Sequence, residues 1–286
     1  MNSEMLRVID EALKEDIVDF AGVIPTGDHT SLACIPYAKE GRAQLLCKAE
    51  GILAGVELAE VVLEKVDATL KFEKLLSDGH RIKKGDIAFK VYGEVKSILR
   101  AERVLLNFMQ RMSGIATSTS KFVDLVEGTK ARILDTRKTT PVLRHFEKWA
   151  VRIGGGHNHR FGLFDMIMIK DNHIDFCGGV EQAIEAVKKY QQANGLNLRV
   201  EIEARNLDDV KTVLRCGNVD RVMFDNFTPE LMKEAVQLVN GQMETEASGG
   251  INLQTVRTYA ETGVDFISVG ALTHSYNSLD LSLKAF

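Results

Sequence analysis

The chain has 286 residues, 45% hydrophobic and 27% charged, with only 4 prolines and a mean hydropathy of −0.07. Such a composition excludes disorder, collagen-like repeats and low complexity as the main state, and the length allows one large domain or two unequal ones. The formal net charge of −4 speaks against a nucleic-acid or anionic-membrane surface, which needs a basic excess.

Charge interrupts every apolar run well short of about 18 residues, so no segment reads as a membrane-spanning helix. The start, Met1-Asn2-Ser3-Glu4, lacks the basic and apolar regions of an export signal, and a cytoplasmic location is expected. Cys34, Cys47, Cys177 and Cys216 are scattered without CxxC spacing and are expected to be core residues.

In chain order, Leu6, Ile9 and Leu13 predict an amphipathic helix over the first 16 residues, ended by the breakers Pro25 and Gly27. Ala43, Leu45, Cys47 and Ala49 alternate, as do Ile87, Phe89 and Val91 after the Lys84-Gly85-Asp86 turn, and both runs predict half-buried strands. Between them Gly55 to Asp67 reads as a helix. A long helix follows from about Ala101, with Leu105, Phe108, Met112 and Ile115 on one side.

Beyond residue 130 strands and helices alternate. The strand candidates are Ile133-Leu134, Met166 to Ile169, Leu198 to Ile202, Arg221 to Phe224, Met243 to Ala247 and Asp265 to Val269. The last four recur about every 22 residues, the length of a βα unit, so a parallel sheet follows, either closed as a barrel or doubly wound. Behind the strands stand Asp135-Thr136-Arg137-Lys138, Lys170-Asp171-Asn172, Glu203, Asp225-Asn226, Ser248-Gly249-Gly250 and Gly270. Polar and glycine residues at every carboxyl end favour a barrel of the TIM type, whose active site lies on that edge.

Eight Lys and Arg against three acids lie between Arg132 and Lys170, so the rest of the chain is acidic. Arg137, Lys138, His159, Arg160 and Lys170 converge on one mouth in this layout, suited to a ligand with planar carboxylates and phosphates. Glu201 and Glu203, two apart on one strand, share a face and need cationic partners, with Lys138 or Lys170 the natural ones; a structural ion pair is the alternative to a substrate or metal contact. Ser248-Gly249-Gly250, before a helix expected near Asn252, offers N–H groups to phosphate. Lys170 alternatively suits a Schiff base, its pKa depressed by crowding cations. A metal site from His157, His159, His173 and Asp171 is disfavoured by Arg160 and Lys170. Trp149, near Phe146, reads as core, and Met166 and Met168 as strand packing with one face available to floor a pocket.

The strings Asp135 to Pro141, Gly154-Gly155-Gly156 with His159-Arg160, Ile169 to His173, Val200 to Glu203, Asp225-Asn226 and Glu246 to Ile251 resemble those of the quinolinate phosphoribosyltransferases, the nicotinate-nucleotide pyrophosphorylases (carboxylating). Glu15-Asp16, Gly27-Asp28 with Thr30-Ser31, and Arg103 with Asn107 and Ser113 to Thr117 match as well, so the resemblance runs nearly end to end; the stretch from Ile17 to Thr26 is longer than the pattern.

The resemblance implies an α/β protein with an N-terminal α+β sandwich domain over residues 1–115, to which the tail 276–286 returns, and an irregular TIM-like α/β barrel over 116–275. It implies a homodimer or an assembly of dimers, with Arg103 reaching the neighbouring site. The implied reaction joins quinolinate to 5-phosphoribosyl-1-pyrophosphate with Mg²⁺, giving nicotinate mononucleotide, pyrophosphate and CO₂. In it Arg103, Arg137, His159, Arg160 and Lys170 hold the pyridine carboxylates, and Lys138, Ser248, Gly249, Gly250, Gly270 and His274 hold phosphates. Glu203 and Asp225 meet ribose hydroxyls and Mg²⁺ and, with Lys170, carry the chemistry. A relative using another pyridine carboxylate, or one associated with molybdenum, is the alternative.

Overall fold

Asn2 opens the fold by accepting the Met5 N–H at 2.9 Å, which caps α1 (Ser3–Ile17). The computed structural model describes all 286 residues, and contacts divide them into two compact units: residues 1–120 with 139–155 and 275–286, and residues 121–138 with 156–274. None of the helices is long and apolar enough to cross a membrane.

In the first unit the buried face of α1 is Met5, Val8 and Ile9. Leu6 and Leu13, expected on that stripe, are only half-buried, because the inward face is the i, i+3, i+4 set that starts at Met5. Asp19 accepts the N–H groups of Ala21, Val23 and Ile24, each at 2.9 Å, which folds the long stretch after Ile17 into its own turn.

The elements that follow are α2 (His29–Cys34), β1 (Glu40–Cys47), β2 (Gly51–Ile52), α3 (Val56–Val66), β3 (Lys71–Lys74), β4 (Arg81–Ile82), β5 (Ile87–Glu94) and α4 (Val95–Val126). A later helix, α5 (Arg144–Ile153), and the last strand, β12 (Leu281–Ala285), belong to this unit too. An antiparallel sheet runs β12-β1-β5-β3, with β2 and β4 as a separate pair. Alternation places Leu45 opposite Leu283 and Cys47 opposite Leu281, all four buried. Each such leucine contributes about 1.5–3 kcal/mol by leaving water.

Helix α4 starts earlier than the apolar pattern from Ala101 suggests, because Glu94 accepts the Ser97 N–H at 2.7 Å. Gly114 lets the chain near Asn277 and Ser278 approach: a Cβ there would lie 2.9 Å from the Asn277 carbonyl carbon and 3.1 Å from Ser278 Cα. Arg111 on α4 pairs with the buried Glu147 of α5 and lies 4.6 Å from the Tyr276 ring centroid. Phe146 is buried but Trp149 only half-buried. Of the four cysteines Cys47 alone is in the core; Cys34 and Cys177 are exposed and Cys216 is half-buried, contrary to the expectation for all four.

The second unit holds β6 (Arg132–Leu134), β7 (Ile167–Ile169), α6 (Asp171–Cys177), α7 (Val180–Asn194), β8 (Val200–Ala204), α8 (Leu207–Cys216), β9 (Arg221–Asp225), α9 (Pro229–Val239), β10 (Glu244–Ser248), α10 (Val256–Ala260), β11 (Phe266–Ser268) and α11 (Ala271–His274). Local chemistry sets the helix starts. Asn206 accepts from the Asp208 and Asp209 N–H groups, and Thr228 caps α9 with Pro229 in the first turn.

The six strands are parallel in the order β6-β11-β10-β9-β8-β7. The order never reverses as a doubly wound sheet requires. It is the cyclic order of a barrel, left open with β6 and β7 at its edges. The helix expected near Asn252 begins instead at Val256: Asn252 Oδ1 accepts the Gln254 N–H at 3.0 Å and holds this stretch in a turn first.

Candidate active site

A strand sends every second side chain to one face, and the ladder register fixes which ones meet. Glu201 pairs with Met168 and Arg221, and Arg221 with Glu244; one step along, Glu203 pairs with Met223, and Met223 with Glu246; at the carboxyl edge Asp225 pairs with Ser248. One interior face therefore carries all these charges, stacked in rows. Above them opens a cavity of about 530 Å³ lined by Thr136, Arg137, Lys138, His159, Arg160, Met168, Lys170, Asp171, Glu203, Met223, Asp225, Glu246, Ser248 and Ser268. That volume suits a small-molecule site.

Eight of the residues singled out from sequence meet there: Arg137, Lys138, His159, Arg160, Lys170, Glu203, Asp225 and Ser248. Lys170 Nζ donates to Glu203 Oε1, and Glu203 Oε2 accepts the Asp171 N–H at 3.1 Å. The neighbour of Lys170 is thus a carboxylate rather than the crowding cations a Schiff base needs, and a nucleophilic amine would have to break that pair first. Burial and then the charge of Arg137 hold the Arg160 guanidinium below its ordinary pKa, the mark of two like charges facing one space. Burial and then Glu203 raise the Asp225 carboxyl above the usual range.

The glycines have geometric reasons. Gly249 has φ +102, and a Cβ there would lie 2.7 Å from Asn226 Cγ and 2.9 Å from the Asn226 backbone nitrogen. A Cβ on Gly270 would lie 3.1 Å from both Lys138 Cδ and His274 Nε2, so these two side chains flank it. Gly250, at φ +60, continues the Ser248 turn. Because α10 starts late and is short, this turn offers loop N–H groups rather than a helix N-terminus. Arg103 is exposed on α4 in the first unit.

Sequence reading missed what lies beneath the cavity. His159 Nε2 stands 2.9 Å from Glu201 Oε2 and 3.5 Å from Glu246 Oε2, while Nδ1 accepts the Arg160 N–H at 2.7 Å. Its backbone N–H goes to the buried Asp135 at 2.9 Å. Burial opposes the charged ring, but hydrogen bonding and charge from Glu201 and Glu246 overcome it and push the His159 pKa up to about 9. Burial and Glu246 raise the Glu201 carboxyl. Glu201 finds His159 and Arg221, 2.9 and 4.0 Å away, rather than a lysine. The one visible signal was a charge in each of three apolar strand runs, at Glu201, Arg221 and Glu246.

Two groups invite a cation. His159, Glu201 and Glu246 have ligating atoms within 4.8 Å of one another, but Arg221 Nη1 sits 2.9 Å from Glu246 and supplies positive charge there already. His157 and His173 are exposed, and His173 Nδ1 accepts the Lys170 N–H, so the histidine site imagined from sequence does not assemble. Glu203 and Asp225 face the cavity with hard oxygen donors of the kind a divalent cation takes.

A parallel α/β sheet that gathers cations and carboxylates at its carboxyl edge defines a barrel enzyme for an anionic substrate. Residues 28–113 match the family profile described as quinolinate phosphoribosyl transferase, N-terminal domain, and residues 115–284 match that of the C-terminal domain. The chain is 48% identical to the chloroplastic nicotinate-nucleotide pyrophosphorylase [carboxylating] of Arabidopsis thaliana, over 98% of this chain and 82% of that protein. It is also 48% identical to quinolinate phosphoribosyltransferase [decarboxylating] 1 of Nicotiana glauca, with the same coverage. The solved nicotinate-nucleotide pyrophosphorylase of Francisella tularensis superposes with a TM-score of 0.92 at 40% identity, covering 100% of this chain and 97% of that one. The chain belongs to the quinolinate phosphoribosyl transferase family.

Proposed function

We propose that this enzyme transfers the phosphoribosyl group of 5-phosphoribosyl-1-pyrophosphate to quinolinate and releases CO₂, forming nicotinate mononucleotide in NAD biosynthesis. The observation that carries the reading is the single cavity in which Arg137, Lys138, Arg160 and Lys170 face Glu203 and Asp225. A dianionic pyridine needs forked and point cations together, and a ribose needs carboxylate acceptors beside them.

Arg137, Arg160 and Lys170 grip the two carboxylates of quinolinate, with His159 in the wall behind them. Lys138, Ser248, Gly249, Gly250, Gly270 and His274 seat the phosphates. The ring nitrogen forms its bond to the ribose carbon as the carbon–oxygen bond to pyrophosphate breaks. Glu203 and Asp225, fixed in advance, face the positive charge that develops on the sugar, while Lys138 faces the departing polyanion. The electron pair left when the adjacent carboxylate departs as CO₂ stays on that ring carbon, stabilised by the formally positive nitrogen beside it, and takes up a proton from water.

The donor set of Glu203 and Asp225 fits Mg²⁺, which when bound supplies charge to the pyrophosphate oxygens. Asp225 is the nearer to readiness, because both Glu203 oxygens already accept hydrogen bonds. The exposed Arg103 completes the site of a neighbouring subunit in a homodimer, and the reaction runs in the cytoplasm.

The test uses quinolinate labelled in the carboxylate beside the nitrogen. Labelled CO₂ appears only with the phosphoribosyl donor present. Donor consumption without CO₂, or turnover of a monocarboxylate instead, would assign the chain to a related specificity.

A further inference from the structure

A column of alternating charge runs up the interior face of the parallel sheet to the cavity. Arg199 pairs with Glu244 at 2.5 Å, and Glu244 accepts from Arg221 Nε at 3.1 Å and Nη2 at 2.9 Å. Arg221 Nη1 donates to Glu246 at 2.9 Å. Glu246 then shares His159 Nε2 with Glu201. The Glu244 side chain is 37% exposed, whereas those of Glu201 and Glu246 are fully buried, so the column passes from solvent to a dry interior.

Each member has little freedom. The Arg221 guanidinium carbon lies 4.0 Å from the Phe266 ring centroid, and its fork is committed to Glu244 on one side and Glu246 on the other. A planar fork held at both edges and stacked on one face has one geometry. Glu246 is thereby fixed from below, and His159 is fixed through Glu246, Glu201 and the Asp135 contact to its backbone. Glu246 and His159 line the cavity; Arg221 and Glu244 do not. Nε2 carries a ring proton on the sheet side, near Glu201 and Glu246, in either state of the ring: in the neutral ring Nδ1 accepts the Arg160 N–H, and in the charged ring Nδ1 is protonated and gives that bond up.

We infer that Glu246 and Arg221 are positioning residues for the pyridine end of the site, holding His159 with Nε2 turned into the sheet so that the forks of Arg137 and Arg160, rather than the imidazole N–H, face the dicarboxylate. Arg221 also matters for the floor as a whole. Without it two buried carboxylates share the single charge of His159 below a pocket for a dianion, and the excess negative charge falls on quinolinate rather than on the sugar donor. The kinetic half of this inference rests on the reaction proposed above; the placement of His159 does not.

The test therefore has two arms. In the ligand-free enzyme, ¹H–¹⁵N NMR of the histidine rings reads a slowly exchanging Nε2–H resonance, assigned by its loss in His159→Gln. It moves in Glu246→Gln and in Glu244→Gln, although Glu244 is outside the cavity and half in solvent, where substitution is tolerated. In steady-state assays Glu246→Gln raises KM for quinolinate about tenfold, the scale of one lost charge-assisted hydrogen bond, and leaves kcat and KM for the phosphoribosyl donor within twofold. Arg221→Met does the same and Arg221→Lys recovers most of the loss. A merely structural role predicts lower melting temperatures with both KM values unmoved. An unmoved Nε2–H resonance in both glutamate variants overturns the inference even if the enzyme acts on another substrate. A moved resonance with unchanged quinolinate KM overturns its specificity half, and absence of any wild-type turnover strikes the proposed reaction alone.

Discussion

Gly249→Ala tests the phosphate end of the site. Its φ of +102 lies where an L-residue is strained, at about 1–3 kcal/mol. The added methyl would also lie 2.7 Å from Asn226 Cγ and 2.9 Å from the Asn226 backbone nitrogen, and overpacking of that kind costs about 1–3 kcal/mol more. The Asn226 side chain can turn away, giving up its 2.9 Å hydrogen bond to Asp225, but its backbone nitrogen is held by the Ser248 carbonyl at 2.9 Å. The strain therefore falls on the turn from Ser248 to Gly250, which shifts by several tenths of an ångström. The melting temperature falls by only a few degrees, because the half-buried turn relaxes more easily than the sheet. KM for the phosphoribosyl donor rises about tenfold or more, as a misplaced phosphate seat loses roughly one charge-assisted hydrogen bond, while KM for quinolinate stays within twofold. Steady-state assays with each substrate varied in turn decide it. A Gly249→Ala enzyme with wild-type affinity for the donor would refute the assignment of this turn to phosphate.

Arg137→Ala and Arg160→Ala each raise KM for quinolinate roughly 10- to 100-fold with the donor KM little changed, the scale of lost charge-assisted bonds; equal effects on both substrates would contradict the division of the cavity. The raised pKa of His159, about 9, makes its contribution to stability fully present below its unfolded pKa near 6.5 and lost as pH climbs through about 9. Urea unfolding of wild type and His159→Gln should differ by up to about 3 kcal/mol more at pH 6 than at pH 10, and parallel stability curves would remove the charged ring from the account. Arg103→Ala mixed with Arg160→Ala, assayed at quinolinate concentrations far below their raised KM, should regain part of the lost activity in hybrid dimers, and no recovery means that each site is built from one chain.

Local chemistry was legible wherever one residue's neighbours in sequence decide its state. Gly55 and Asp67 bound α3 where the spacing places them, and alternation at Ala43, Leu45 and Cys47 is the burial of β1. The residues behind each strand could be placed at the cavity because a parallel repeat sends every carboxyl end to one edge. Ala101 was the wrong start for α4 because the cap belongs to Glu94, a residue outside the apolar pattern. The late start of α10 escaped notice for a similar reason: the Asn252 turn competes with the helix through a side-chain hydrogen bond that periodicity does not register.

The interior column was out of reach for a different reason. Glu201, Arg221 and Glu246 lie on three different strands, and nothing in the spacing of one strand states its register against the next. The sequence alone determined which positions carry charge, which strand face each one takes, and the family to which their order is similar. Only the tertiary structure decided that His159 answers to Glu201 and Glu246, that Lys170 answers to Glu203, and that Arg221 is clasped between two glutamates. Ion pairing depends on distance through space in a medium of low dielectric, and that distance exists only once the strands are laid side by side.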